Sequence, residues 1–291
     1  MLQQKTRLFF YIYVSAFLLV GKVVKLNNMF TTYLIGIFVF IFGACIGSFL
    51  NCVIYRSEQE KSLKGRSFCP NCKHELSWPD LFPVFSFLFL KGKCRYCKSK
   101  ISWRYPLVEL LTALIFLLIF NLQISNLKIL NIAFAFYIAC VLIIIFVYDL
   151  KHYIIPDKIL FPAIGIVGLV RILDFSFGIL TFNHLLSYFF AVIVAAGFFL
   201  AIFLVSKGKW MGFGDVKLAV LMGLLLGLIN VLVALFLAFF FGAIIGITLM
   251  AFRGKKLKSE IPFGPFLILG TFMAMFWASQ IIKWYVSLII K

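Results

Sequence analysis

Eight apolar runs, at about residues 30–54, 106–122, 130–148, 159–173, 185–205, 216–228, 230–252 and 264–288, leave little room for anything but a bundle of membrane helices. A helix needs about 20 apolar residues to cross a hydrocarbon core about 30 Å thick, and most of these runs meet that length. Barrel strands would alternate apolar and polar residues, and these runs do not. With 64% hydrophobic residues and 37 Phe among 291, a single water-soluble core is excluded. The expectation is an all-α polytopic membrane protein of eight transmembrane helices. A ninth is added if the apolar stretch Leu8–Val24 also spans. That stretch follows Lys5 and Arg7 and has no small-x-small cleavage site before Lys22. Residues 1–28 therefore read either as an extra helix or as an extension before a start at Met29.

The net charge of +18 would suit a nucleic-acid binder if it were spread over a soluble surface. It is concentrated in loops between apolar runs, which makes it first a topology signal, and no nucleic acid is expected as a partner. Between Arg56 and Arg104 eleven basic residues meet only Glu58, Glu60, Glu75 and Asp80, so this loop belongs in the cytoplasm by the positive-inside rule. Alternating from there puts Lys151, Lys158, Lys207, Lys209, Lys217, Arg253, Lys255, Lys256 and Lys258 on the same side. Only Lys128, Arg171, Lys283 and Lys291 fall opposite. The loops carrying Asp149 and Asp215 then emerge together on the cytoplasmic face. Gly43 and Gly47, four residues apart, allow close approach of a neighbouring helix.

Four of the seven cysteines lie in the basic loop as two Cys-x-x-Cys pairs, Cys69/Cys72 and Cys94/Cys97, with 21 residues between them. In a reducing compartment this spacing points to a four-thiolate zinc site, or iron in its place, rather than disulfides. Four thiolates close the coordination shell, so the metal would be structural and would supply folding energy to a loop too polar to fold alone. His74 could substitute for one thiolate. Cys45, Cys52 and Cys140 sit in apolar runs.

A carboxylate inside a membrane helix costs about 2.5–3.5 kcal/mol and is kept where it has a task. Asp149 ends a very apolar run, and Asp215 follows Gly212-Phe213-Gly214 at the start of another. Two such groups sharing a site cannot both ionise comfortably. One then holds a proton that the other lacks, an arrangement able to activate water against a peptide carbonyl and protonate the leaving amine. Taken singly, Asp215 also reads as a helix N-cap after a glycine turn, and Asp157 after Pro156 likewise. Glu109, in Arg104-Tyr105-Pro106-Leu107-Val108-Glu109, either pairs with a basic residue of the loop or faces a cationic ligand. No His-Glu-x-x-His or Gly-x-Ser-x-Gly pattern supports zinc proteolysis or serine hydrolysis.

In order along the chain stand Gly47-Ser48-Phe49-Leu50-Asn51-Cys52-Val53-Ile54-Tyr55-Arg56, the two cysteine pairs, Arg104 to Glu109, the Asp149 segment ending in Ile155-Pro156-Asp157, Gly212-Phe213-Gly214-Asp215, and Pro262-Phe263-Gly264-Pro265-Phe266-Leu267. Together these resemble the bifunctional type IV prepilin leader peptidase and N-methyltransferase family over residues 29–288. The resemblance implies that Asp149 and Asp215 are the catalytic pair of an intramembrane aspartic endopeptidase. Such an enzyme cleaves the leaders of type IV prepilins and pseudopilins after a glycine. It further implies methylation of the new N-terminus from S-adenosylmethionine, in the inner membrane of a bacterium with the site facing the cytoplasm, serving type IV pilus or type II secretion systems.

The resemblance also partitions the chain. Residues 1–28 are left over, 29–55 form the first transmembrane helix, 56–105 the zinc loop associated with methylation, and 106–291 the peptidase bundle. Lys151 stands where many relatives have another aspartate, and Ser57-Glu58 where proline is common. No soluble-type glycine-rich donor motif is present to assign the donor site, for which Glu109 and the cytoplasmic loop are candidates only. A rival from another class is a proton-coupled transporter with a zinc-stabilised loop, and a second is a non-catalytic scaffold.

Overall fold

The structure, a computed structural model, describes residues 29–123, 129–253 and 262–289. Residues 1–28 lie outside them, so the choice between extra helix and extension does too. So do Lys128, Lys255, Lys256, Lys258 and Lys291 of the charge argument. Among the described residues there are helices and no strands, with two isolated bridges, Phe68 to Glu75 and Lys93 to Lys100. The all-α polytopic expectation holds.

The helices are α1 (Met29–Glu58), the short α2 (Phe85–Phe89), α3 (Arg104–Gln123), α4 (Ile129–His152), α5 (Asp157–Ser176), α6 (Phe182–Ser206), α7 (Phe213–Leu226), α8 (Leu228–Arg253) and α9 (Gly264–Ile289), with a 3-10 turn at Trp78–Leu81. Seven of them are long and apolar enough to cross a membrane, making this a multi-pass membrane protein. The eighth apolar run forms α7, whose 14 residues extend about 21 Å at 1.5 Å per residue. Gly227, at φ +73°, separates it from α8 in a conformation that side chains disfavour.

The chain divides into two compact units, Met1–Ala139 and Cys140–Lys291. In the first, α1 packs along α3 through the predicted glycine face. A Cβ on Gly43 would lie 2.8 Å from Ala113 Cα, and one on Gly47 2.6 Å from Glu109 Cα. Lipid gives helices no hydrophobic reason to associate, so backbones this close gain their attraction from dispersion. Phe116 of α3 stacks on Phe136 with ring centroids 4.0 Å apart.

In the second unit α7 is enclosed. Nine of its residues are buried, and only Phe213 at its start is exposed. Gly223 fits it against α6, where a Cβ would lie 2.7 Å from the Val192 nitrogen. Its last turn leaves carbonyls without intrahelical partners, and α5 supplies one. The Arg171 guanidinium donates to the Leu224 and Leu225 carbonyls at 3.1 and 3.0 Å, lies 4.4 Å over the Tyr188 ring and pairs with Asp174 at 3.5 Å. A cation at a helix carboxyl end also meets the macrodipole favourably. The charge that the sequence placed on the opposite side from the basic loops is thus a helix cap.

Candidate active site and metal centre

The cysteine pairs lie on two hairpins of the same local design. In the first, the Cys69 amide donates to the His74 carbonyl at 2.9 Å and the Lys73 amide to the Cys69 carbonyl at 2.8 Å. In the second, Cys94 donates to Ser99 at 2.8 Å and Lys98 to Cys94 at 3.1 Å. Lys73 and Lys98, each directly after the second cysteine of its pair, both take φ +57°. Each hairpin thereby aims two sulfurs to one side, and all four Sγ atoms lie within 4.8 Å of one another. A tetrahedral shell with Zn–S bonds of about 2.3 Å has sulfurs about 3.8 Å apart. Cys69 and Cys97 are separated by 3.9 Å, which fits.

Hydrogen bonds from the Ser99 side chain and amide pull the Cys97 thiol down to about 6. The His74 amide would lower the Cys72 thiol as well, but loss of hydration and the neighbouring Cys69 and Cys97 sulfurs push it up to about 11. Crowded sulfurs of this kind can all ionise only around a cation. His74 supplies no fifth ligand to the cluster; its ring lies 3.7 Å from that of Tyr96.

Asp80 fastens the 3-10 turn to the second hairpin. It accepts from Arg95 Nε at 2.6 Å, from Ser77 Oγ at 2.8 Å and from Tyr96 Oη at 3.3 Å. Burial alone would raise its carboxyl, but the bonds from Arg95 and Ser77 outweigh burial and hold it below the usual range. Arg56, 4% exposed, donates to the Ser62, Gly65 and Arg66 carbonyls and folds the chain back after α1. Arg104 pairs with Glu58 at 2.9 Å.

In the second unit, Asp149 in the last turn of α4 and Asp215 in the first turn of α7 meet below the surface. They are 4% and 8% exposed and close enough for their charges to interact. Asp215 is not an N-cap: that position is Gly212, and the aspartate stands three residues inside the helix. Asp157 is not one either; Pro156 caps α5, and Asp157 pairs with Lys217 at 2.7 Å, joining the beginnings of α5 and α7.

Glycines bring the loops together. A Cβ on Gly214 would lie 3.3 Å from Ile155, and one on Gly264, at the start of α9, would overlap Asp149 Oδ2. The Gly264 backbone amide faces the same carboxylate. Sequence reasoning included Gly264 within a motif but gave it no part in the site. The signal available was a Gly-Pro step opening a helix, where a free amide faces an anion.

Comparison with known proteins bears on both halves of the chain. The model described as the bacterial peptidase A24 N-terminal domain matches residues 41–122, and that described as the type IV leader peptidase family matches residues 136–247. A prepilin leader peptidase/N-methyltransferase of Aeromonas salmonicida (strain A449) is 32% identical over 288 residues, covering 87% of this chain and 94% of the relative. The chain belongs to the type IV leader peptidase family. Proteins of the same description from Legionella pneumophila and Bacillus subtilis (strain 168) are each 31% identical, covering 85% and 86% of this chain and 93% and 97% of their own lengths. No solved structure matched. The leader peptidase match spans both aspartates, and the N-terminal match spans all four cysteines together with Asn51 and Glu109.

Proposed function

We propose that this protein removes the leader of type IV prepilins and pseudopilins after a glycine and then methylates the exposed amine. The chemistry would be performed at the cytoplasmic side of a bacterial inner membrane. The observation that carries the reading is the proximity of two buried carboxylates, Asp149 in the last turn of α4 and Asp215 in the first turn of α7, with Gly264 lying against the first. One carboxylate takes a proton from water as the water oxygen bonds to the scissile carbonyl carbon. The other, protonated, hydrogen-bonds the carbonyl oxygen. When the carbon–nitrogen bond breaks, a carboxyl proton passes to the amine, leaving a carboxylic acid on the leader and a free amine on the pilin. Gly264, having no side chain, leaves room for that carboxylate against the start of α9.

Cys69, Cys72, Cys94 and Cys97 are assigned to a structural zinc ion, supported by sulfur spacing that fits a tetrahedral shell and leaves no open position for catalysis. S-adenosylmethionine, when bound, supplies the methyl group. The transporter reading draws support from none of the relatives named above.

The test is mass spectrometry of a purified prepilin incubated with the full chain, with and without S-adenosylmethionine, beside Asp149→Asn and Asp215→Asn. Leader loss with one added methyl is expected for the unaltered chain, and a loss of cleavage of about a thousandfold or more in each variant. Cleavage that survives either substitution in a folded chain would rule out the dyad.

A further inference from the structure

A cavity of about 570 Å³ in the first unit lies among the C-terminal part of α1, the start of α3 and the cysteine module. Its size is within the ~300–1,000 Å³ usual for small-molecule sites. One wall carries an unfinished hydrogen bond. Asn51, 3% exposed, donates through Nδ2 to the Tyr105 carbonyl at 3.0 Å, while its Oδ1 has no partner among the described residues. A carbonyl can only accept, so the amide orientation is decided and the oxygen left over is an acceptor. Buried acceptors are costly to leave empty and are normally matched.

A second wall carries a carboxylate with no counter-charge. Glu109, 8% exposed, accepts from the Val84 amide at 2.7 Å, has the Ser48 side chain beside it and makes no ion pair among the described residues, contrary to the pairing with a basic loop residue that the sequence allowed. Val84 takes φ +62° and ψ −48°, a conformation a β-branched residue avoids, and in doing so turns its amide toward Glu109. Strain of this kind persists where the surroundings enforce it. Its effect is to hold the carboxylate beside the cavity without neutralising it.

Aromatic rings of Tyr55, Phe68 and Tyr105 complete the lining. Arg56, Arg95 and Lys100 also border the space; three backbone carbonyls occupy the Arg56 guanidinium, Asp80 pairs with Arg95, and Lys100 is exposed at the edge. The cavity therefore presents a deep acceptor, an anionic group, flat apolar faces and a lysine at its edge. The complementary ligand has an N–H donor, a positive charge and a planar ring.

We propose that this cavity is the S-adenosylmethionine site, with Asn51 Oδ1 receiving an N–H of the methyl donor, Glu109 facing its positive charge and the aromatic rings flanking its purine. The proposal rests on the methylation reading above and adds the place and the residues. Cys69, Asn71 and Cys94 border the same cavity, so the metal module forms part of its wall.

The test is binding of S-adenosylmethionine, and of its demethylated product, to the purified metal-loaded full chain by titration calorimetry, beside Asn51→Leu and Glu109→Gln. Each variant should bind about tenfold more weakly or worse with metal content unchanged; the thermal midpoint should stay in place for Glu109→Gln, which keeps an acceptor for the Val84 amide, and fall for Asn51→Leu, which frees the Tyr105 carbonyl. A second measurement, which needs no variant, is ultraviolet crosslinking of radiolabelled S-adenosylmethionine to the unaltered chain, with the label expected in residues 48–56, 67–71 or 104–109. Label found only in residues 140–291, or variants that bind as tightly as the unaltered chain, would overturn the assignment. So would a phenylalanine-headed peptide whose binding, but not the donor's, is lost in Asn51→Leu. An unaltered chain that cleaves prepilin yet binds no donor would overturn the methylation reading itself and leave the peptidase standing.

Discussion

At Gly264 a missing side chain has a chemical role. The space a methyl group would take is filled by Asp149 Oδ2, and the amide at that position faces the same carboxylate. Gly264→Ala should therefore displace Asp149 and lower cleavage at least tenfold, about 1.4 kcal/mol, with methylation of a peptide already cleaved left intact. Kinetics on both substrates would check this, and equal loss on both would mean a folding defect instead. The two aspartates were legible in the sequence because each is a charge set in apolar surroundings, visible without knowledge of the fold. Asn51 was not, since the Tyr105 carbonyl that orients it lies 54 positions away. Glu109 was recognised as out of place, but its partner, the Val84 amide, comes from a backbone turn that no residue pattern announces.

Among the elements, α7 depends most on a neighbour. Arg171 of α5 closes two of its terminal carbonyls, so Arg171→Met should leave both unsatisfied in an apolar setting and cost about 2 kcal/mol or more. The expected result is a lower thermal midpoint in detergent with metal content unchanged. Arg171→Lys should fall between, because a single ammonium cannot fork onto two carbonyls. Helix positions were largely readable, since an apolar run between polar loops identifies a membrane helix at low resolution. The Cys-x-x-Cys hairpins were readable for a similar reason: all the information sits within six residues. The cap on α7 and the pairing of Asp157 with Lys217 depend on contacts across more than 50 positions; in their place the sequence offered a charge on the opposite side for Arg171 and a local N-cap reading for Asp157.

For the molecule as a whole, the two compact units each hold one of the assigned tasks, donor binding and metal in the first and the aspartate pair in the second. Stripping the metal with a strong chelator should release the two hairpins, abolish donor binding and methylation, and change the rate of leader cleavage by no more than about twofold. Parallel loss of both activities would show instead that the hairpins support the entire fold. The seven long helices have their lengths matched to a bilayer, whereas α7 is shorter than such a span and covered by protein on nearly every side. Thick or thin membranes act on a protein by pulling on the surfaces that lipid touches. The helix bearing Asp215 is insulated from that pull, so an enzyme working in lipid keeps one half of the proposed aspartate pair in a setting mechanically closer to the interior of a soluble protein.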